Sequence, residues 1–235
     1  VQPSNVVAGA SITPAIQVLV ADAFGNAVVG SNVALGLVGS GVLTGGTAVL
    51  SDAAGLATFS ALSVNLAGSK QLTATSGVLT PATSTAFTVS AGAAATLAFN
   101  VQPSNAAAGA SIAPAVKLLV SDAFGNGVAG STVALALIGS GTLSGGAPAL
   151  TDANGLATFS ALSVNLAGSK QLTATSGVLP AATSSAFAIS AAAATALSFA
   201  VQPSNVVAGA SITPAVQVQV ADAFGNAVAG SSVAL

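Results

Sequence analysis

Val1-Gln2-Pro3-Ser4-Asn5 opens the chain, returns as Val101-Gln102-Pro103-Ser104-Asn105, and returns again as Val201-Gln202-Pro203-Ser204-Asn205. The period is about 100 residues, the length of one β-sandwich domain. By position, about 71 of 100 residues agree between the first two copies, and 61–79 recurs unchanged at 161–179. The 235 residues hold about 2.35 periods, so the repeat guides the domain count more firmly than total length does.

Inside a period, short apolar or alternating segments are separated by Gly, Pro, Asn and Asp, which is strand-and-turn punctuation. The spacing predicts strands near 96–101, 114–120, 132–138, 147–150, 156–164, 170–175 and 184–190, and no helix. Seven strands in about 95 residues is the count of an immunoglobulin-like sandwich. Alternation is clearest at Val216, Val218 and Val220 on one face and Gln217 and Gln219 on the other, one face buried and one wet. At the outward positions the earlier copies have Gln17 and Leu19, and Lys117 and Leu119; scattered exposed leucines are ordinary. Four phenylalanines recur per period, Phe24, Phe59, Phe87 and Phe99, then Phe124, Phe159, Phe187 and Phe199, and all are expected in the core.

The Ala-rich stretches 91–95 and 191–194 are the natural domain edges. They give an Ig-like repeat at 1–91 without its opening strand, a complete repeat at 92–190, and a partial repeat at 191–235 with its first three strands. Because the repeat continues across both ends, the expectation is a window in a longer tandem array, with any targeting signal outside it.

Composition narrows the function classes. The net charge is −2, from three Lys/Arg and five Asp/Glu. No basic patch exists to neutralise phosphates or hold an anionic membrane surface, so nucleic acid and lipid headgroups are not expected partners. Hydrophobic residues make up 53% of the chain, but Gly30, Ser31, Asn32, Gly36 and Gly39 interrupt the longest uncharged stretch, so no spanning helix is expected. Cys, Met, Trp, Tyr and His are all absent, which removes disulfides, thiol chemistry and the Ser-His or Cys-His arrangements of nucleophilic catalysis.

Several spaced motifs agree in order. Asp122-Ala123-Phe124-Gly125-Asn126 is followed by Gly127-Val128-Ala129-Gly130, then by Asp152-Ala153-Asn154-Gly155-Leu156-Ala157-Thr158-Phe159. Ala167-Gly168 then precedes Leu172-Thr173-Ala174-Thr175-Ser176. This pattern resembles the bacterial immunoglobulin-like (Big) domains of invasin- and intimin-type surface proteins, over essentially the whole chain. The resemblance implies an all-β fold of tandem immunoglobulin-like Greek-key β-sandwiches, and an extracellular or cell-surface array that holds other modules away from the cell. The near absence of charge and the lack of Trp and Tyr are departures from the typical member.

Chemistry leaves little to assign, and no enzyme activity is expected. Asp22, Asp52, Asp122 and Asp152 each sit in an Asp-x-x-Gly turn, where the carboxylate can accept backbone N–H bonds. Calcium is the one metal to weigh at these four residues, and one carboxylate per turn is thin for a cation that takes about six to eight oxygens. The Gly39-to-Gly46 stretch has no following Lys and fails the phosphate-loop pattern. No Asn-x-Ser/Thr site exists, which leaves Ser and Thr hydroxyls for O-linked sugars. The expectation is therefore a structural segment of a filament, sheath or stalk that associates with copies of the same repeat by end-to-end stacking, with lateral or strand-addition contacts as variants. The rival is an adhesin module binding through its loops, best sought at 44–49 and 144–149, where the copies differ most.

Overall fold

The computed structural model describes residues 1–234 and holds strands and turns, with no helix among them. Contacts gather the chain into two compact units. One comprises Val1–Thr96 with Val120–Ala129 and Ala153–Gly155, the other Leu97–Leu119 with Gly130–Asp152 and Leu156–Leu235.

In the first unit, one sheet runs in the order Val6–Val7, Phe87–Ser90, Gly68–Thr75, Asn32–Val38, Val49–Leu50, with Ala82–Thr83 also paired to Gly68–Thr75. Against it stand the antiparallel pairs Ile16–Leu19 with Leu56–Phe59 and Leu43–Thr44 with Ser63–Val64. Neighbours in the large sheet are distant in sequence, as in the register Leu35↔Ala74 and Leu37↔Leu72, which is Greek-key connection. The second unit repeats this sheet with Ala106–Ala107, Phe187–Ser190, Gly168–Thr175, Thr132–Ile138 and Ala149–Leu150. Its opposing sheet has three strands, Thr96–Val101, Val116–Ser121 and Leu156–Phe159. The fold is thus an all-β tandem of immunoglobulin-like sandwiches.

Period-two patterning builds the cores. Phe87 and Val89 point inward while Thr88 and Ser90 face water, and Leu72 and Ala74 do the same along Gly68–Thr75. These residues close over Ile12, Ile16, Val33, Phe59, Leu62 and Val64, all buried. Phe159, 3% exposed, holds the corresponding place in the second unit. Phe159→Ala is expected to cost about 3–5 kcal/mol, read as a lowered urea midpoint at unchanged slope.

Three expectations need correction. Phe59, Phe87, Phe159 and Phe187 are core residues, but Phe24 is 90% exposed and Phe124 47% exposed, because both sit at the tip of a turn rather than on a strand. Phe99 is only half-buried and Phe199 is 49% exposed. The strand expected over 156–164 is two strands, Leu156–Phe159 and Ser163–Val164, because the chain changes partner between them. Among the described residues of the third repeat, Ala194–Val201 and Gln217–Asp222 are strands, and 231–234 is irregular where a third strand was expected.

Candidate functional site

The residues that gather polar groups are the aspartate turns. In the first copy, Asp22 Oδ1 accepts the N–H groups of Phe24 (2.9 Å) and Asn26 (2.8 Å), and Asp22 Oδ2 accepts the Asn26 side-chain amide (2.9 Å). Gly25 completes the bend at φ +86°, a conformation open to glycine at little steric cost. The turn therefore closes on itself and presents the Phe24 ring at its tip.

The second copy of this turn has identical internal bonds and a setting the first lacks. It belongs to the first compact unit. Asn126 Oδ1 accepts the Ala67 N–H at 2.8 Å, Asn126 Nδ2 donates to the Asn65 carbonyl at 2.9 Å, and Asp122 Oδ2 accepts the Gly92 N–H at 2.8 Å. The Phe124 ring lies directly over Gly9, where an added methyl group would overlap the ring. Together Gly9, the Asn65-Leu66-Ala67 loop and Gly92 form a socket.

The third copy repeats the arrangement inside the second unit. Asn226 Oδ1 accepts the Ala167 N–H at 2.8 Å, Asn226 Nδ2 donates to the Asn165 carbonyl at 2.9 Å, and Asp222 Oδ2 accepts the Ala192 N–H at 2.8 Å. Phe224 lies over Gly109. In both seated copies Asp and Asn of the turn are buried: Asp122 and Asp222 to 3% and 2%, Asn126 and Asn226 to 7% and 8%.

The socket loop is itself held from behind. Asn65 Oδ1 accepts the Val42 N–H at 2.7 Å, and the buried Lys70 ammonium donates to the Ala67 carbonyl at 3.2 Å and to Ser40 Oγ at 3.1 Å. Lys170 repeats this with Ala167 and Ser140. Ala67 thus lends its N–H to Asn126 and its carbonyl to Lys70, so the peptide groups on both sides of it are held in a partly buried place.

Hydrogen bonding governs the carboxylates. Burial pushes Asp222 up, but bonds from the Asn226 side chain and from the N–H groups of Ala192, Asn226 and Phe224 outweigh it and bring the pKa to about 2. Asp122 is lowered in the same way, against burial, by Asn126, Gly92 and Phe124. The folded values lie below the unfolded carboxylate value of 3.8, so this stabilisation is complete above that value and is lost as pH falls towards 2. Melting temperature is expected to drop between about pH 4 and pH 2, and to drop less in an Asp222→Asn variant.

Asp52 and Asp152 make plainer turns. Asp52 Oδ1 accepts the N–H groups of Ala54 (2.8 Å) and Leu56 (3.0 Å), and Asp152 Oδ1 accepts that of Leu156 (3.0 Å). Among the described residues no three acidic side chains are brought together, so Asp22, Asp52, Asp122 and Asp152 remain in separate turns.

Two clefts in the first unit, of about 200 and 260 Å³, flank Ile16–Leu19 and are lined by residues including Val18, Leu19, Leu72, Ala74 and Leu79. In the second repeat the corresponding free edge of Val116–Ser121 carries the strand Thr96–Val101, and Leu118 and Val120 are fully buried. Leu19 is 61% exposed, and its counterpart Leu119 is half-buried.

Fold and site together define a tandem immunoglobulin-like sandwich protein in which each seated turn is bonded to a loop of its own compact unit. Among solved structures, the chain is similar to InvD of Yersinia pseudotuberculosis, at 20% identity and TM-score 0.51, covering 95% of this chain and 69% of that one. It also aligns with invasin, an integrin-binding protein, at 16% identity and TM-score 0.42, covering 98% of this chain and 47% of that one. A third match is the surface-layer protein SbsC, domains 4–9, at 18% identity and TM-score 0.34, covering 93% and 32%. InvD carries bacterial immunoglobulin-like domains, and this chain shares their fold. No family model and no curated protein matches the sequence.

Proposed function

We propose that the chain is an architectural segment of a bacterial cell-surface or extracellular stalk, sheath or filament. In it the sandwiches 1–91, 92–190 and 191–235 follow end to end, each seating its Asp-Ala-Phe-Gly-Asn turn on the repeat before it. The observation that carries this reading is the twice-repeated grip of Asn126 on Asn65 and Ala67 and of Asn226 on Asn165 and Ala167, with matching distances. Identical joints between near-identical units suit a material built by repetition.

Composition supports the same role. Three Lys/Arg leave few tryptic sites, the absence of Met and Cys removes the readily oxidised side chains, and a chain with so few charges has few exposed ion pairs for salt to screen. Self-association with copies of the repeat is the expected partnership, with Ser and Thr hydroxyls as sites for O-linked sugars.

The adhesin reading places a ligand at the hairpins 44–49 and 144–149, which lie at the surface. The Asp-Ala-Phe-Gly-Asn loop, unchanged in all three copies, is instead the one seated at 122–126 and 222–226. The aspartates serve as turn-formers here, so chelation with EDTA should leave the melting temperature unchanged; a fall on chelation, reversed by calcium, would assign them to a metal. Cryo-electron microscopy of the native assembly tests the role itself. Ordered filaments or rigid stalks with a repeat of one sandwich are expected, and isolated flexible strings of domains would contradict it.

A further inference from the structure

We propose that the turn from Asp22 to Asn26 is a preformed docking knob, and that its partner is the socket of another repeat of this type, placed ahead of it in a tandem array. This rests on the array reading and goes further by naming both surfaces. The partner must offer a glycine facing the Phe24 ring and an Asn-Leu-Ala loop presenting one carbonyl and one N–H to the Asn26 amide.

One sequence in three settings carries the inference. Asp-Ala-Phe-Gly-Asn is unchanged at 22, 122 and 222, and the internal bonds are the same in each, with Asp Oδ1 accepting two N–H groups and Oδ2 accepting the Asn amide. Only the surroundings differ. Phe124 and Phe224 are 47% and 43% exposed over their glycines, whereas Phe24 is 90% exposed. Asn126 and Asn226 are buried and bonded outward; Asn26 is exposed.

The turn does not change shape between free and seated states, so docking carries little ordering cost, and an aromatic ring flanked by an amide is a suitable anchor. The socket chemistry is equally specific. Any side chain at the glycine excludes the ring, and the peptide groups flanking the middle residue of the loop match the donor and acceptor of one carboxamide.

The test uses this chain and the same chain extended at its head by a second copy of residues 101–200, which supplies one more socket. Phe24→Ala should leave the urea midpoint of the present chain unchanged. In the extended chain it should lower the folding equilibrium constant about ten-fold, as Phe124→Ala does in the present one. The chain contains no Trp or Tyr, so a Phe24→Trp variant reports alone, and its emission should shift to the blue only in the extended chain.

A Phe24→Ala change that is silent in the extended chain overturns the proposal. A blue shift that grows with concentration in the unextended chain also overturns it, because the occupant would then be a second copy acting in trans. Flexible strings in the microscope together with a ten-fold Phe24→Ala effect would reject the architectural role and leave the knob standing.

Discussion

Replacing Asn126 with alanine should loosen the first unit by about 2–4 kcal/mol, while the same change at Asn26 should cost less than about 1 kcal/mol. The two side chains belong to identical sequence and make the same bond to their aspartate. They differ in what else they reach. Loss of the Asn126 amide strips the Ala67 N–H and the Asn65 carbonyl of their partners, and each group left unpaired in a partly buried place costs about 1–3 kcal/mol. Urea denaturation of the two variants and the parent reads the difference directly. Equal effects at positions 26 and 126 would mean that Asn126 matters only to its own turn.

The second large effect is expected at Gly9. Valine there meets two penalties, a left-handed backbone at φ +76° and the Phe124 ring, which occupies the space its side chain needs. The first costs about 1–3 kcal/mol and the second about 1–3 kcal/mol, for a total of roughly 2–6 kcal/mol. Gly209 provides the control within the same molecule. It has φ +84° and nothing within 4 Å of an added Cβ, so Gly209→Val carries the backbone term alone. Glycine at 9 and 109 is thus required twice over, by conformation and by the ring set against it.

These expectations rest on features that were half legible in the sequence. Strands 96–101 and 132–138 are readable to the residue because their apolar runs are bounded by turn formers, and the Asp-x-x-Gly bends are read correctly as backbone-bonding turns. The two-residue strands Ala106–Ala107, Leu143–Ser144 and Ala182–Thr183 are not, since two residues show no period.

The joint was missed for a different reason. Phe24 and Phe124 look like core residues by hydrophobicity, and hydrophobicity does not say that a ring buries itself on a neighbouring glycine instead of in its own sandwich. A signal was present nonetheless. Two of the constant features of the repeat, Asp-Ala-Phe-Gly-Asn and the identical stretch 61–79 and 161–179, contain the knob and, with Asn65, Ala67 and Lys70, the socket loop and its support. Segments that must fit each other across a joint vary less than strands that need only be apolar. Lys70 was equally opaque, because a buried lysine without a carboxylate partner has no pattern of its own; only the structure shows it bonded to the Ala67 carbonyl.

Hydrogen exchange at the Ala67 amide tests the seated turn most directly, since that N–H lies outside the strands and donates to Asn126 Oδ1. The account predicts slow exchange at Ala67 and Ala167 in the parent chain, with Ala67 released by Asn126→Ala and Ala167 left protected. Fast exchange at Ala67 in the unmodified chain would contradict it, because the turn would then not be seated.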